Sequence, residues 1–296
     1  MPGVRASAAG RAALEIEGVV CGFVQSAAGG AITADVLTLP GQGAFAEKQL
    51  GRVRYEELEL QLDLSLDKLV YDWIAASWKG NYSRRDGSIA ATDAAGKAVS
   101  EREFFRGLVT EVTVPTLDAA SKDRVFLTVK VGPEYTRFKK GSGKSVKSTA
   151  GRQKEWQGSN FKLEIDGLDS TRVSKVEAFT VKQTLVHDDI GEKRDLVAGP
   201  GGLDFPNLRV ALAASGADTW TAWFDDFVVK GNNDATKERD GKLTFLAADR
   251  STRLGEVSFF NLGIFRLEAE RQQAGVDAVA RLVADLYCER MEIAVP

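Results

Sequence analysis

A single histidine, two cysteines and no long apolar run restrict this 296-residue sequence before any motif is sought. One imidazole, His187, cannot supply the ligand sets of most zinc sites, and no cysteine or carboxylate cluster stands at ligand spacing beside it. The same scarcity removes nucleophile–base triads, since no serine or cysteine sits in a nucleophile-elbow context around that histidine. Cys21 and Cys288 lie at opposite ends of the chain in apolar-alternating surroundings. They read as two buried thiols rather than a disulfide framework. No stretch of about 18 apolar residues occurs, which excludes a membrane-spanning helix. Met1 to Ala13 has no apolar core behind Arg5 and Arg11, so no signal peptide is expected and the triplet Asn81-Tyr82-Ser83 has no glycosylation meaning. A formal net charge of −3 gives no whole-chain reason to expect nucleic acid as a partner. With 44% hydrophobic and 27% charged residues the composition is globular rather than disordered.

Four suggestive patterns fail on spacing. Gly141-Ser142-Gly143-Lys144-Ser145 ends like a phosphate-binding loop, but Phe138 stands where the first glycine is required. Asp225-Asp226 are helix neighbours about 100° apart, so they form a wet face rather than a proton-sharing pair, and Asp188-Asp189 fall in a polar loop. The basic stretch from Lys139 to Lys154 lacks interleaved aromatics for base stacking. No catalytic, cofactor or metal residues are assigned, no cofactor is expected, and the chain reads as a non-enzyme.

What is present is a repeat. Leu14-Glu15-Ile16-Glu17-Gly18 returns as Leu163-Glu164-Ile165-Asp166-Gly167. Leu58, Leu60 and Leu62 return as Leu208, Val210 and Leu212, Trp73-Ile74 as Trp223-Phe224, and Lys79-Gly80 as Lys230-Gly231. Asp86-Gly87 returns as Asp240-Gly241, and Phe104-Phe105 as Phe259-Phe260. The offset rises monotonically from 149 (Leu14 to Leu163) to 155 (Phe104 to Phe259), as small insertions in two copies of one domain make it. Between the copies, six basic residues among Gly and Ser predict a flexible linker. The expected division is therefore 1–138, a linker over 139–158, and 159–296.

Each half reads mainly as strand. Leu58, Leu60, Leu62 and Leu64 alternate with polar residues, as do Val125, Leu127, Val129 and Val131. One helix per half breaks the pattern. Asp67 is an N-cap before Leu69, Trp73 and Ile74, with Gly80 as the stop; Asp218 opens Trp220, Trp223, Phe224 and Phe227, with Gly231 as the stop. Leu69, Trp73, Trp220, Trp223, Phe224 and Phe227 are the expected helix-on-sheet core. Asp86-Gly87 and Asp240-Gly241 read as turns.

The segments Phe104-Phe105-Arg106-Gly107-Leu108-Val109 and Leu117-Asp118-Ala119-Ala120-Ser121 resemble the late signature of phage tail tube proteins. Phe161 to Gly167 and Pro200-Gly201-Gly202-Leu203-Asp204-Phe205-Pro206-Asn207-Leu208 are similar to the early one. The resemblance, which extends to the type VI secretion tube protein Hcp, implies two tandem β sandwich or barrel domains, each with one flanking helix. It further implies a structural subunit of the inner tube of a phage tail or contractile injection system, with three chains forming a pseudo-six-fold ring around a lumen. Partners implied are further copies in the ring and in stacked rings, and tube, sheath, baseplate or hub proteins. The lumen could hold cargo or DNA, and no membrane insertion is implied. The expected location is the bacterial cytoplasm during assembly and then the particle. Two alternatives stay open: a tube initiator or adaptor between six-fold tube and three-fold hub, and an effector- or cargo-binding module. In the family a hairpin arm follows the first strand, here Ser26 to Gly51 and Lys182 to Asp204. Asp188, Asp189, Glu192, Lys193 and Arg194 would make the second arm a polar ring or stacking interface. Two features depart from the family: Gln272 to Asp277 replaces the Leu-Asp turn, and the domain is duplicated.

Overall fold

A computed structural model describes residues 10–41, 45–147, 156–188, 197–270 and 280–296. The chain is mainly β. Its first half runs β1 (Ala12–Ile16), β2 (Val19–Val24), β3 (Ser26–Gly29), β4 (Ile32–Leu39), β5 (Glu47–Tyr55), β6 (Leu58–Leu62) and α1 (Lys68–Trp78). Then come β7 (Arg85–Thr92), β8 (Ala98–Val114), β9 (Leu117–Asp118), β10 (Leu127–Gly132) and β11 (Tyr135–Lys140). The second half runs β12 (Phe161–Ile165), β13 (Val173–Val176), β14 (Phe179–Asp188), β15 (Val197–Asp204), β16 (Leu208–Ala213) and α2 (Asp218–Phe224). It closes with β17 (Arg239–Leu246), β18 (Arg253–Ala269) and β19 (Arg281–Ala294).

Alternation sets the sheet faces. On β6, Leu58, Leu60 and Leu62 are buried, while Glu59 is exposed and Gln61 only partly covered, so a one-residue slip would turn every leucine to water. The helices start and stop for local reasons. The Asp67 side chain accepts from the Leu69 amide at 2.9 Å, and Gly80 ends α1 at φ 75°. α2 continues as a short π-type turn, Asp225–Val229, before Gly231, also at φ 75°. Trp73, Trp220, Trp223 and Phe227 are buried; Leu69 and Phe224 are half-buried against the same core.

The strand order is the same in both halves. The first half is ordered β1-β7-β8-β10-β6-β3, with β2 added beyond β1; the second is ordered β12-β17-β18-β19-β16-β13. Irregularities recur at matching places. Pairing of β8 with β10 skips Thr110, and pairing of β18 with β19 skips Phe265, an offset of 155. The β4–β5 hairpin jumps from Ala34↔Val53 to Val36↔Leu50, and the β14–β15 hairpin from Gln183↔Leu203 to Leu185↔Pro200. Such bulges bend and re-aim a strand, so their shared positions give the two sheets a shared curvature.

Asp86-Gly87 and Asp240-Gly241 are not turns. They lie inside β7 and β17, each at a bulge opposite the next strand. The aspartate side chains accept from the amides of Arg106 at 2.7 Å and Asn261 at 3.1 Å, residues at φ 51° and 56°. A Cβ on Gly87 would meet the Glu15 carbonyl at 2.4 Å and the Phe104 ring at 2.5 Å, so close backbone approach explains the glycine. An Asp-Gly pair serves a bulge as readily as a turn.

The segment between the halves is structured at both its ends. β11 runs through Lys140, Ser145 bridges to Lys97, and Trp156 is fully buried with its ring 4.6 Å from that of Phe245. The buried apolar residues of both halves form one continuous core. Asp86→Ala and Asp240→Ala are each expected to lower stability by about 1 kcal/mol, the typical worth of a side-chain cap on a backbone amide. Urea unfolding of the two variants checks this, and an effect at one position alone would break the equivalence of the two bulges.

Candidate assembly interface

Polar and strand-pairing contacts join the two halves. β14, at the start of the second arm, pairs with the far end of β8 in the register Phe179↔Val114, Thr180↔Thr113, Val181↔Val112 and Lys182↔Glu111. β10 already occupies the other side of β8, so β14 extends the first half's sheet by one strand. Pairing satisfies main-chain groups that would otherwise form a bare edge. Beside it, Leu117 and Asp118 of β9 pair with Val176 and Lys175 of β13, and the Ala119 amide donates to the Ser174 carbonyl at 2.8 Å.

Side chains lock the register. The Thr113 and Thr180 hydroxyls are 2.8 Å apart, and the Thr116 hydroxyl accepts from the Ala178 amide at 3.1 Å. From α1, Ser77 Oγ donates to Gln183 Oε1 at 2.9 Å, with both side chains buried. That contact matters because burying a carboxamide without a partner costs about 1–3 kcal/mol. Leu185 fills the space above Gly132, where a Cβ would meet its Cδ1 at 2.6 Å and Thr110 Cγ2 at 3.0 Å. α1 also lies against β19, and Lys79 reaches Glu292 at 3.0 Å. The Phe179 and Phe259 rings meet edge-on at 5.9 Å, joining the seam to the second half's own core.

Of the arm residues singled out from sequence, Asp188 ends β14 with its main chain opposite Val197. Asp189, Glu192, Lys193 and Arg194 lie outside the described residues, as does the Gln272 to Asp277 segment. His187 lies within β14. Ser77, Thr113, Thr180 and Gln183 were not singled out. A small polar residue in a strand or helix carries no sequence mark of a partner about a hundred positions away.

Among the described residues no three His, Cys, Asp or Glu side chains gather as metal ligands. Buried carboxylates are paired structurally: Asp63 receives Arg124 at 2.6 Å, and Glu134 receives Arg106 at 2.8 Å and Arg84 at 3.4 Å. Burial pushes the Cys21 and Cys288 thiols up to about 11, away from the thiolate form that makes a nucleophile.

Residues 14–139 match the family model of the T4-like virus tail tube protein gp19. Over this segment, a little under half of the chain, the sequence is similar to the tail tube protein family. No curated protein matches the chain. Among solved structures, the extended sheath–tube complex of the extracellular contractile injection system PVC is 13% identical, with 46% of this chain and 89% of that chain covered and a TM-score of 0.39. The six-fold symmetrised anti-feeding prophage baseplate is 12% identical, with 46% and 91% covered and a TM-score of 0.36. Hcp1 from Flavobacterium johnsoniae is 12% identical, with 46% and 95% covered and a TM-score of 0.28. At scores this low the likenesses carry no argument about function. No described helix is long and apolar enough to cross a membrane.

Gly132→Ala is expected to cost about 1–3 kcal/mol, because the added methyl overlaps Leu185 in the seam. Thermal unfolding measures it; an unchanged midpoint would show that the second arm does not rest there. The raised thiol pKa values give a second outcome. Below the ordinary thiol value of 9.0 the folded and unfolded chains hold the same thiol protons, so their stabilising effect is fully present. Between pH 9.0 and about 11 only the unfolded chain ionises them, so stability falls as pH rises through that window. Urea midpoints across this range, compared with a Cys21→Ala/Cys288→Ala chain, check the contribution.

Proposed function

We propose that the chain is a ring subunit of a tail-type tube, made of two tail-tube domains in tandem, residues 1–138 and 159–296, joined through 139–158. The observation that carries this reading is the matched strand order, with bulges at matched positions, in a chain whose residues 14–139 match the tail tube family model. Two domains side by side then occupy two neighbouring places in a ring. Three chains complete a pseudo-six-fold ring around a lumen, and tethering favours the adjacent placement by raising local concentration. The role is structural rather than catalytic. Its partners are further copies of the chain and the tube, sheath, baseplate or hub proteins of a phage tail or contractile injection system. The lumen is a passage for DNA or protein cargo.

A second reading as adaptor between a six-fold tube and a three-fold hub draws on the differences between the halves. The first arm exposes Val36, Leu37 and Leu50, whereas β14 of the second is engaged on β8. A ring with two alternating kinds of domain has three-fold symmetry in detail.

Native mass measurement with negative-stain imaging tests both readings. Rings of three chains with a six-fold outline are expected, and stacking of rings into tubes favours the repeating subunit over the adaptor. A compact monomer at every concentration, with no ring, would sink the proposal.

A further inference from the structure

The two halves differ where each helix hands over to the next strand. In the first half Trp73 of α1 is buried, and its indole N–H donates to the Ser83 carbonyl at 2.8 Å. Arg85, the first residue of β7, donates from Nη1 to Glu17 Oε2 at 2.9 Å. The connection between Gly80 and Arg85, residues 81–84, thus supplies the indole with an acceptor from its own main chain.

In the second half the same connection, residues 232–238, is longer. Trp223 of α2 corresponds to Trp73 and is 4% exposed, yet its indole N–H has no hydrogen-bond partner among the described residues. A buried donor without an acceptor is costly and calls for an explanation. Arg239, the first residue of β17, corresponds to Arg85 but donates from Nη1 to the Asp166 main-chain carbonyl rather than to a carboxylate. Its guanidinium lies on the Trp223 ring, 5.2 Å from the centroid. A Cβ on Gly167 would meet Arg239 Nη1 at 2.2 Å, whereas one on the corresponding Gly18 would meet nothing within 4 Å. Around Trp223 and the longer connection lies an open depression of about 600 Å³, a usual size for a ligand cleft. Its wall sets the carboxylates of Asp166, Asp226, Glu238 and Asp240 against the cations of Lys237 and Arg239. Asp226 accepts from the Asn232 carboxamide at 2.8 Å, Glu238 from the Tyr287 hydroxyl at 2.7 Å and Asp240 from the Asn261 amide at 3.1 Å. These bonds position the three carboxylates and leave each with acceptor capacity to spare.

The chemistry of this wall narrows the occupant. A bare cation has no use for an indole N–H, and no three of the described carboxylates gather as metal ligands. A phosphate or other simple anion would face four carboxylates against two cations. A group that joins an acceptor to a positive charge satisfies both sets, and a polypeptide carries that combination wherever a main-chain carbonyl stands beside arginine or lysine. We infer that this depression is a docking pocket for a basic segment of a partner polypeptide. A main-chain carbonyl of that segment accepts from Trp223 Nε1, as Ser83 does from Trp73 in the first half, and its basic side chain lies among Asp226, Glu238 and Asp240. Because Nε1 is covered, docking moves the Arg239 guanidinium off the ring. Among the described residues a main-chain bond and the ring contact hold that side chain, with no ion pair. Arginine suits the pocket better than lysine, since its planar fork meets carboxylates through two parallel bonds. Nothing in this depends on the chain forming a ring.

Two measurements on the full chain test the pocket. Trp73→Phe removes a donor that is already bonded and strands the Ser83 carbonyl, so the urea midpoint of unfolding is expected to fall. Trp223→Phe removes a donor without a partner, so its midpoint falls by less. An equal or larger fall for Trp223→Phe means that the indole is already satisfied in the free chain, and overturns the pocket. The second measurement is titration with the capped peptide acetyl-Gly-Arg-Gly-amide, followed by nuclear magnetic resonance of the indole N–H groups. The Trp223 resonance is expected to shift and that of Trp73 to stay in place. Acetyl-Gly-Gln-Gly-amide, which keeps the carbonyls and loses the charge, binds about tenfold more weakly, and Asp226→Asn with Glu238→Gln removes most of that difference. Trp223→Phe weakens binding of the arginine peptide about two- to tenfold, whereas Trp73→Phe leaves it unchanged. Equal affinity for the two peptides, or a Trp223 shift with inorganic phosphate and none with the arginine peptide, overturns the basic segment as occupant. A Trp223 resonance that no probe moves overturns the pocket itself.

Discussion

An unpaired sheet edge governs this molecule. A strand with one side bonded presents a row of amides and carbonyls that water satisfies only by leaving a template for further strands. In the first half the far end of β8 is capped by β14, and everything near the seam follows from that pairing. Gln183 is carried under α1, Leu185 is laid over Gly132, and β13 is brought beside β9. The two halves consequently share one apolar core instead of meeting across a polar linker.

Much of the architecture was legible because it is written in short-range chemistry. The leucine alternation at 58–64, the Asp67 cap and the glycines that end both helices each act within a few residues. Of the residues matched between the halves, Phe104 and Phe259 each sit opposite the glycine of a bulged strand. Two local readings went astray for the same reason. Asp86-Gly87 satisfies a bulge with the chemistry of a turn, and Trp156, within a polar stretch, is drawn into a core by Phe245 from much later in the chain.

The seam itself was not legible. Strand alternation tells which face is dry but not which strand lies alongside, and β14 carries no mark that its neighbour is β8 rather than β6 or β16. The ring or stacking interface expected from sequence lies at the charged tip of the arm, mostly outside the described residues. Within the chain, contacts at the arm's root are made by Thr113, Thr180, Ser77 and Gln183.

The placement of β14 has a consequence for biosynthesis. While the chain is being made, β8 emerges with its flank bare, and that flank stays bare until the polypeptide has extended through Lys182. The first half thus waits, adhesive, for its own sequel. Any neighbouring nascent chain offering a similar segment is a competitor during that interval, and the covalent connection gives the sequel the advantage of proximity. Joining the two halves in one polypeptide decides in advance which partner reaches the exposed flank first.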